Sequence, residues 1–193
     1  MTAVIRILAF AGSAHKVSVN KKIVGVAAQG ARDAGAQVTL IDLLDYPLPL
    51  FNEDVEAQEG VPANAAKLKE LFKSHHGFLI ACPEYNSSVT PLLKNTIDWM
   101  SRKAKDEPSM AAFSGKVVVL MAASPGALGG LRGLAHVRDI LSNIGAIVLP
   151  GQIALGRAHE AFNTDGTIKD AKQDTAVRKL GSDLTEFLRK YAP

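Results

Sequence analysis

Apolar residues come in short unbroken runs that alternate with amphipathic stretches. Five runs, VIRILAF (4–10), QVTLID (37–42), GFLIAC (77–82), KVVVLMAA (116–123) and AIVLP (146–150), are rich in Val, Ile and Leu, as strands covered on both faces are. Between them, apolar positions recur with a helical period. The first such stretch starts near Ser18 or Asn20, continues through Ile23, Val24, Ala27, Ala28 and Ala31, and stops at Gly35, a natural left-handed terminator. Further helices are predicted at 63–75 after Pro62, from Pro91 through Leu92, Leu93, Ile97 and Met100, at 130–144 before Gly145, and at 170–190.

Strands that alternate with helices need crossover connections, so neighbouring strands run parallel and helices wrap both faces. Right-handed crossovers leave few topologies. The predicted fold is α/β, a flavodoxin-like three-layer sandwich with a five-stranded parallel sheet in the order 2-1-3-4-5; a truncated dinucleotide-binding fold is the alternative. Nothing in the chain reads as a linker, repeat or low-complexity tract, and residues 1–193 are expected to form a single domain. The longest irregular piece, 43–62, carries three prolines and several acids, and a loop of that length usually borders a site. An Asp-Gly turn in FNTDGTIKD (162–170) precedes the last helix.

Composition removes several classes of function. The formal charge of +3 is dispersed, with no arginine block or basic arm, which argues against nucleic acid and leaves room for a small anionic partner. The lone cysteine, Cys82, excludes an intrachain disulfide and a cysteine metal cluster. No run reaches the length needed to span a bilayer, and the opening run, broken by Arg6 and followed by no small-residue cleavage pattern, does not suit a signal peptide; the cytoplasm is the expected compartment.

In a doubly wound sheet, ligands bind beyond the carboxyl ends of the strands where strand order reverses, so three loops carry the candidate chemistry. After the first strand, GSAHKVSVN offers Gly12 for the turn, the hydroxyls of Ser13 and Ser18, the amide of Asn20 and the free N–H groups that open a helix, donors that suit a monophosphate. Neither a Gly-Lys-Ser/Thr ending nor GxGxxG is present, and Ser18 or Asn20 serving only as a helix cap is an equal reading. After the third strand, PEYN is read as a flat stretch of main chain with one aromatic, able to lie against a planar heterocycle; an ordinary turn with Thr90 capping the next helix is the plainer alternative. After the fourth, SPGALGGLRG has glycines that permit close backbone approach.

Together, GSxxxxSxN, PEYNxSxxxxLKNxIDW and SPGxxGG resemble the NADPH-dependent FMN reductase family, which includes bacterial quinone, azo-dye and chromate reductases. The resemblance implies non-covalent FMN, reduced by NADPH or NADH and discharged to a small-molecule acceptor, in a homodimer or homotetramer. It puts Ser13, His15, Ser18, Val19 and Asn20 at the phosphate, Pro83, Glu84, Tyr85 and Asn86 beside the isoalloxazine, and Ser124 and Gly126 across the ring. Tyr85 is the expected contact to nicotinamide or acceptor, and Arg132 a candidate for the extra phosphate of NADPH. The family usually has Arg where this chain has His15, so a permanent charge is replaced by a side chain that is cationic only when protonated.

With the flavin performing the redox chemistry, no protein nucleophile is required and no metal site is expected. His75-His76 is read as a cationic helix end, Cys82 as a small hydrophobe, Asp98 and Trp99 as packing or dimer residues, and His136 and His159 as lacking partners. Two other classes stay open: a flavodoxin-type electron carrier without its own NAD(P)H oxidation, and a flavin-free nucleotide-binding or regulatory domain.

Overall fold

A computed structural model describes residues 4–104 and 106–191. Strands β1 (Arg6–Ala11), β2 (Gln37–Leu40), β3 (Gly77–Ala81), β6 (Val117–Ala123) and β7 (Ile147–Leu155) form one parallel sheet in the order β2-β1-β3-β6-β7, the predicted flavodoxin-like arrangement. β4 (Glu84–Tyr85) and β5 (Ser88–Val89) make a separate antiparallel hairpin.

β3 and β6 are buried along their whole length, which explains why they read as continuous apolar runs. Alternate residues serve opposite faces. Ile7, Ala9, Leu79, Ala81, Val119 and Met121 pack beneath α1 (Val19–Asp33) and α7 (Ala171–Tyr191). Leu8, Phe10, Phe78, Ile80, Val118 and Leu120 pack beneath α3 (Ala63–Ser74), α4 (Pro91–Ser101) and α5 (Leu131–Asn143). α1 and α7 cross with their backbones in contact: a Cβ on Gly30 would fall 2.0 Å from the carbonyl oxygen of Arg178, and one on Gly181 2.0 Å from that of Ala27.

Three expectations are corrected. The last sheet strand does not stop at Pro150 but continues to Leu155. Pairing with β6 slips between Val118 and Leu120, so that Val148 and Gln152 face them, and Pro150 falls in the resulting bulge on an edge strand, where its missing N–H breaks no ladder bond. Residues 43–62 are not wholly irregular: a 3₁₀ turn (Leu43–Asp45) is followed by α2 (Glu53–Glu59), capped by Asn52, whose Oδ1 accepts from the amides of Asp54 and Val55. A further one-turn helix, α6 (Ala158–Ala161), follows β7.

The third concerns His75 and His76, which are not cationic. His75 is buried, its Nδ1 2.6 Å from the carbonyl of Leu71 and its Nε2 2.8 Å from the Thr39 hydroxyl; His76 Nδ1 accepts the Arg6 amide at 2.9 Å. Burial, then the charges of Arg6 and Lys116, holds both imidazoles below their ordinary range. The cations at this end of α3 are Lys73 in its last turn, Arg6, donating to Ser74 O, and Lys116, donating to the carbonyls of Lys73 and His75.

Candidate functional site

Three loops meet at the carboxyl edge of the sheet. The first runs from Gly12, whose amide bonds the Ala81 carbonyl at 2.9 Å, to Ser18, the N-cap of α1, whose Oγ accepts the Asn20 amide at 3.2 Å. As at any helix start, the amides of Val19 and Lys21 then lack intrahelical acceptors. Ser13 is buried and its Oγ takes the His15 amide at 3.3 Å, whereas His15 and Lys16 are exposed. Asn20 faces inward: its side-chain nitrogen donates to Ala123 O at 2.8 Å and its oxygen accepts from Ala123 N at 2.9 Å, tying the start of α1 to the end of β6.

The PEYN segment is a hairpin rather than a flat stretch. Asn86 and Ser87 occupy its two turn positions with φ of 50° and 65°, the left-handed pair that a two-residue turn needs to match strand twist, and Asn is the residue that adopts it most readily after Gly. Pro83 is buried, Glu84 half-buried, and Tyr85 and Asn86 exposed, Tyr85 by 55%. Thr90 caps α4 through Leu93 N at 3.3 Å and also donates its hydroxyl to the Gly12 carbonyl at 2.7 Å, so one buried side chain fastens the first loop to the second.

The third loop closes the ring. Ser124 bonds β7 through its amide and accepts the Gly126 amide on its Oγ at 3.2 Å; Gly126 is exposed. Gly130, with φ of 92°, leads into α5 beside the Cys82 carbonyl and the Glu84 Cβ. Arg132 is exposed and donates to Ser87 Oγ at 3.2 Å. Cys82 is fully buried and burial pushes its thiol far up, so it is a packing residue.

Several contacts here were not foreseen. His136 shares a 3.0 Å hydrogen bond with Ser88 Oγ, and Glu84 accepts the Gly133 amide at 2.8 Å; His159 lies 3.1 Å from Glu160. The rest of the LKNxIDW motif is scaffold: Asn95 brackets the 43–52 loop by accepting from Phe51 N and donating to Pro49 O, and the buried Trp99 donates its indole N–H to the same carbonyl at 2.8 Å. Lys94 pairs with Asp98 one turn along α4. Among the described residues no cluster of three or more potential metal ligands occurs, and no helix is long and apolar enough to cross a membrane.

This is a doubly wound α/β protein in which hydrogen bonds bring a helix N-terminus, hydroxyls and a hairpin bearing Tyr85 together at the carboxyl edge of the sheet. The chain belongs to the NADPH-dependent FMN reductase family, whose model matches residues 5–160. It is 31% identical over 187 residues to an NAD(P)H-dependent FMN reductase of Pseudomonas aeruginosa, covering 96% of both chains. To a quinone reductase of Escherichia coli it is 34% identical over 152 residues, 77% of this chain and 76% of that one. The flavoenzyme NAD(P)H:(acceptor) oxidoreductase FerB of Paracoccus denitrificans superposes with a TM-score of 0.82 at 25% identity, over 97% of this chain and 99% of the other.

Proposed function

We propose that the protein is a cytoplasmic FMN-dependent NAD(P)H oxidoreductase that passes hydride from NADPH or NADH through bound flavin to a small acceptor such as a quinone, an azo compound, a metal oxyanion or free flavin. The observation that carries this reading is the hydrogen-bonded union of three loops, by Thr90 to Gly12, Asn20 to Ala123 and Glu84 to Gly133, into one rim. The names of the curated relatives favour an enzyme over a flavodoxin-type carrier.

In this reading Ser13, Ser18 and the opening amides of α1 bind the phosphate, with Lys16 supplying positive charge, and His15 beside it, at the exposed side of the loop. Asn20 acts from behind, holding the helix start against β6. Main-chain groups of Pro83–Asn86 border the ring, Ser124 and Gly126 flank it, and backbone donors there stabilise negative charge on the reduced ring. When bound, FMN supplies the hydride-accepting centre. Tyr85 shapes the slot for nicotinamide and acceptor, and Arg132, beside the hairpin tip, meets the 2′-phosphate of NADPH.

The assembly in this reading is a homodimer or homotetramer, with Val17, Tyr85, Leu128 and Leu131, exposed on the three loops and at the start of α5, available to meet another copy. The deciding experiment is NADPH oxidation by the FMN-loaded protein with a quinone and no partner reductase. Steady turnover is expected; flavin that binds but is reduced only when a separate reductase is added would make the protein a carrier.

A further inference from the structure

Helix α5 starts without a side-chain cap of its own. Its N-cap position is Gly130, which has nothing to offer the first-turn amides, and the glycine-rich approach supplies no hydroxyl or carboxylate there. The Gly133 amide, in that first turn, is instead satisfied by Glu84 Oε2 at 2.8 Å, from a residue 49 positions earlier in the chain. A carboxylate at a helix N-terminus gains both a charge-assisted hydrogen bond and the favourable end of the helix dipole. Two further bonds join the same two elements: Arg132 Nη1 to Ser87 Oγ at 3.2 Å and Ser88 Oγ to His136 Nδ1 at 3.0 Å. The fit is close as well as polar. A Cβ on Gly133 would lie 3.3 Å from the Ser88 carbonyl oxygen and 3.4 Å from the Glu84 Cβ, so glycine at this place in the helix lets the hairpin sit down on α5.

We propose that Glu84 is a positioning residue: by capping α5 in trans, its carboxylate sets the height of the Tyr85 hairpin above the sheet edge and thereby the main-chain surface that meets the flavin ring. This rests on the flavin reading given above and adds to it a role for the Glu84 side chain, whose carboxylate bonds the first turn of α5. Displacement by a few tenths of an ångström matters because groups that face a rigid ring lose alignment steeply with distance.

The test uses the whole protein titrated with riboflavin, which lacks the phosphate and so reports the ring end alone, and in parallel with FMN, by quenching of flavin fluorescence. Glu84→Ala is expected to weaken both ligands by the same factor, about tenfold. Glu84→Gln, which keeps an acceptor oxygen, is expected to recover most of that loss. Gly133→Ala keeps the Glu84 carboxylate but puts a Cβ 3.3 Å from the Ser88 carbonyl oxygen and 3.4 Å from the Glu84 Cβ, so it is expected to shift the hairpin and weaken riboflavin about threefold, while the helix propensity gained over glycine holds the melting temperature. That combination separates positioning from mere stabilisation. If the unaltered protein binds FMN but Gly133→Ala binds riboflavin as tightly as it does, the positioning role is overturned, and an effect of Glu84→Ala is then one of stability. If the unaltered protein binds no FMN at all, it is the flavin reading itself that falls.

Discussion

Asn20 shows how a single amide can join a loop to a sheet. Its carboxamide exchanges two hydrogen bonds with the main chain of Ala123, which sits at the end of β6 where the third loop begins. Asn20→Ala strands a buried N–H and a buried C=O at once, and is expected to cost about 2–4 kcal/mol in urea unfolding. Asn20→Asp should cost at least as much, because a carboxylate cannot donate to the Ala123 carbonyl; a variant as stable as the parent would show the bonds to be dispensable. The caps at Ser18 and Thr90 are local, made within three residues, and the sequence signals for both were legible. The bonds from Asn20 to Ala123 and from Glu84 to Gly133 were not, because they span 103 and 49 residues and depend on which strands become neighbours.

Helix packing is decided by the two glycines at the α1–α7 crossing. Gly181→Ala would thrust a methyl carbon to 2.0 Å from a main-chain oxygen, where no rotamer change can relieve it, and a loss of about 3 kcal/mol or more is expected by chemical denaturation. Gly25→Ala, in α1, meets nothing within 4 Å and should stabilise by about 0.5–1 kcal/mol through helix propensity alone. Equal effects of the two would contradict the close crossing. Apolar runs located all five sheet strands; β1, β3 and β6 are central and covered on both faces, which leaves that trace whatever surrounds them, and the edge strands β2 and β7 carry it although they are half exposed. The continuation of β7 past Pro150 escaped notice because a bulge on an edge strand tolerates the residue that ordinarily ends pairing. The hairpin escaped because its turn is Asn86-Ser87 rather than a glycine pair, and because each of its strands is two residues long.

At the scale of the whole molecule, the amino edge of the sheet carries a pH dependence. His76 Nδ1 accepts a main-chain N–H and His75 is buried between a carbonyl and a hydroxyl, so protonation breaks a hydrogen bond or forces a charge into the core. Both imidazoles titrate below the 6.5 of an unfolded chain. The unfolded state therefore binds more protons as pH falls through that value, and stability that is full above it is lost below. Glu107, held at about 2 by the Lys69 ammonium, contributes stability that disappears only between 4.5 and that value. The urea midpoint is expected to be level from about pH 8 to 7 and to decline as the pH falls below about 6.5, above the range in which Glu107 acts. A profile that stayed level to about pH 5 would contradict neutral, buried histidines.

The proposed function needs the carboxyl edge to be one mouth that grips a phosphate at the α1 end and a ring at the hairpin end. The most direct measurement is the difference in affinity between FMN and riboflavin for the unaltered protein, repeated with Ser18→Ala. FMN is expected to bind at least about tenfold more tightly than riboflavin, and Ser18→Ala to erode that preference by weakening FMN alone. Equal affinity for the two ligands, or no binding of either, would contradict it.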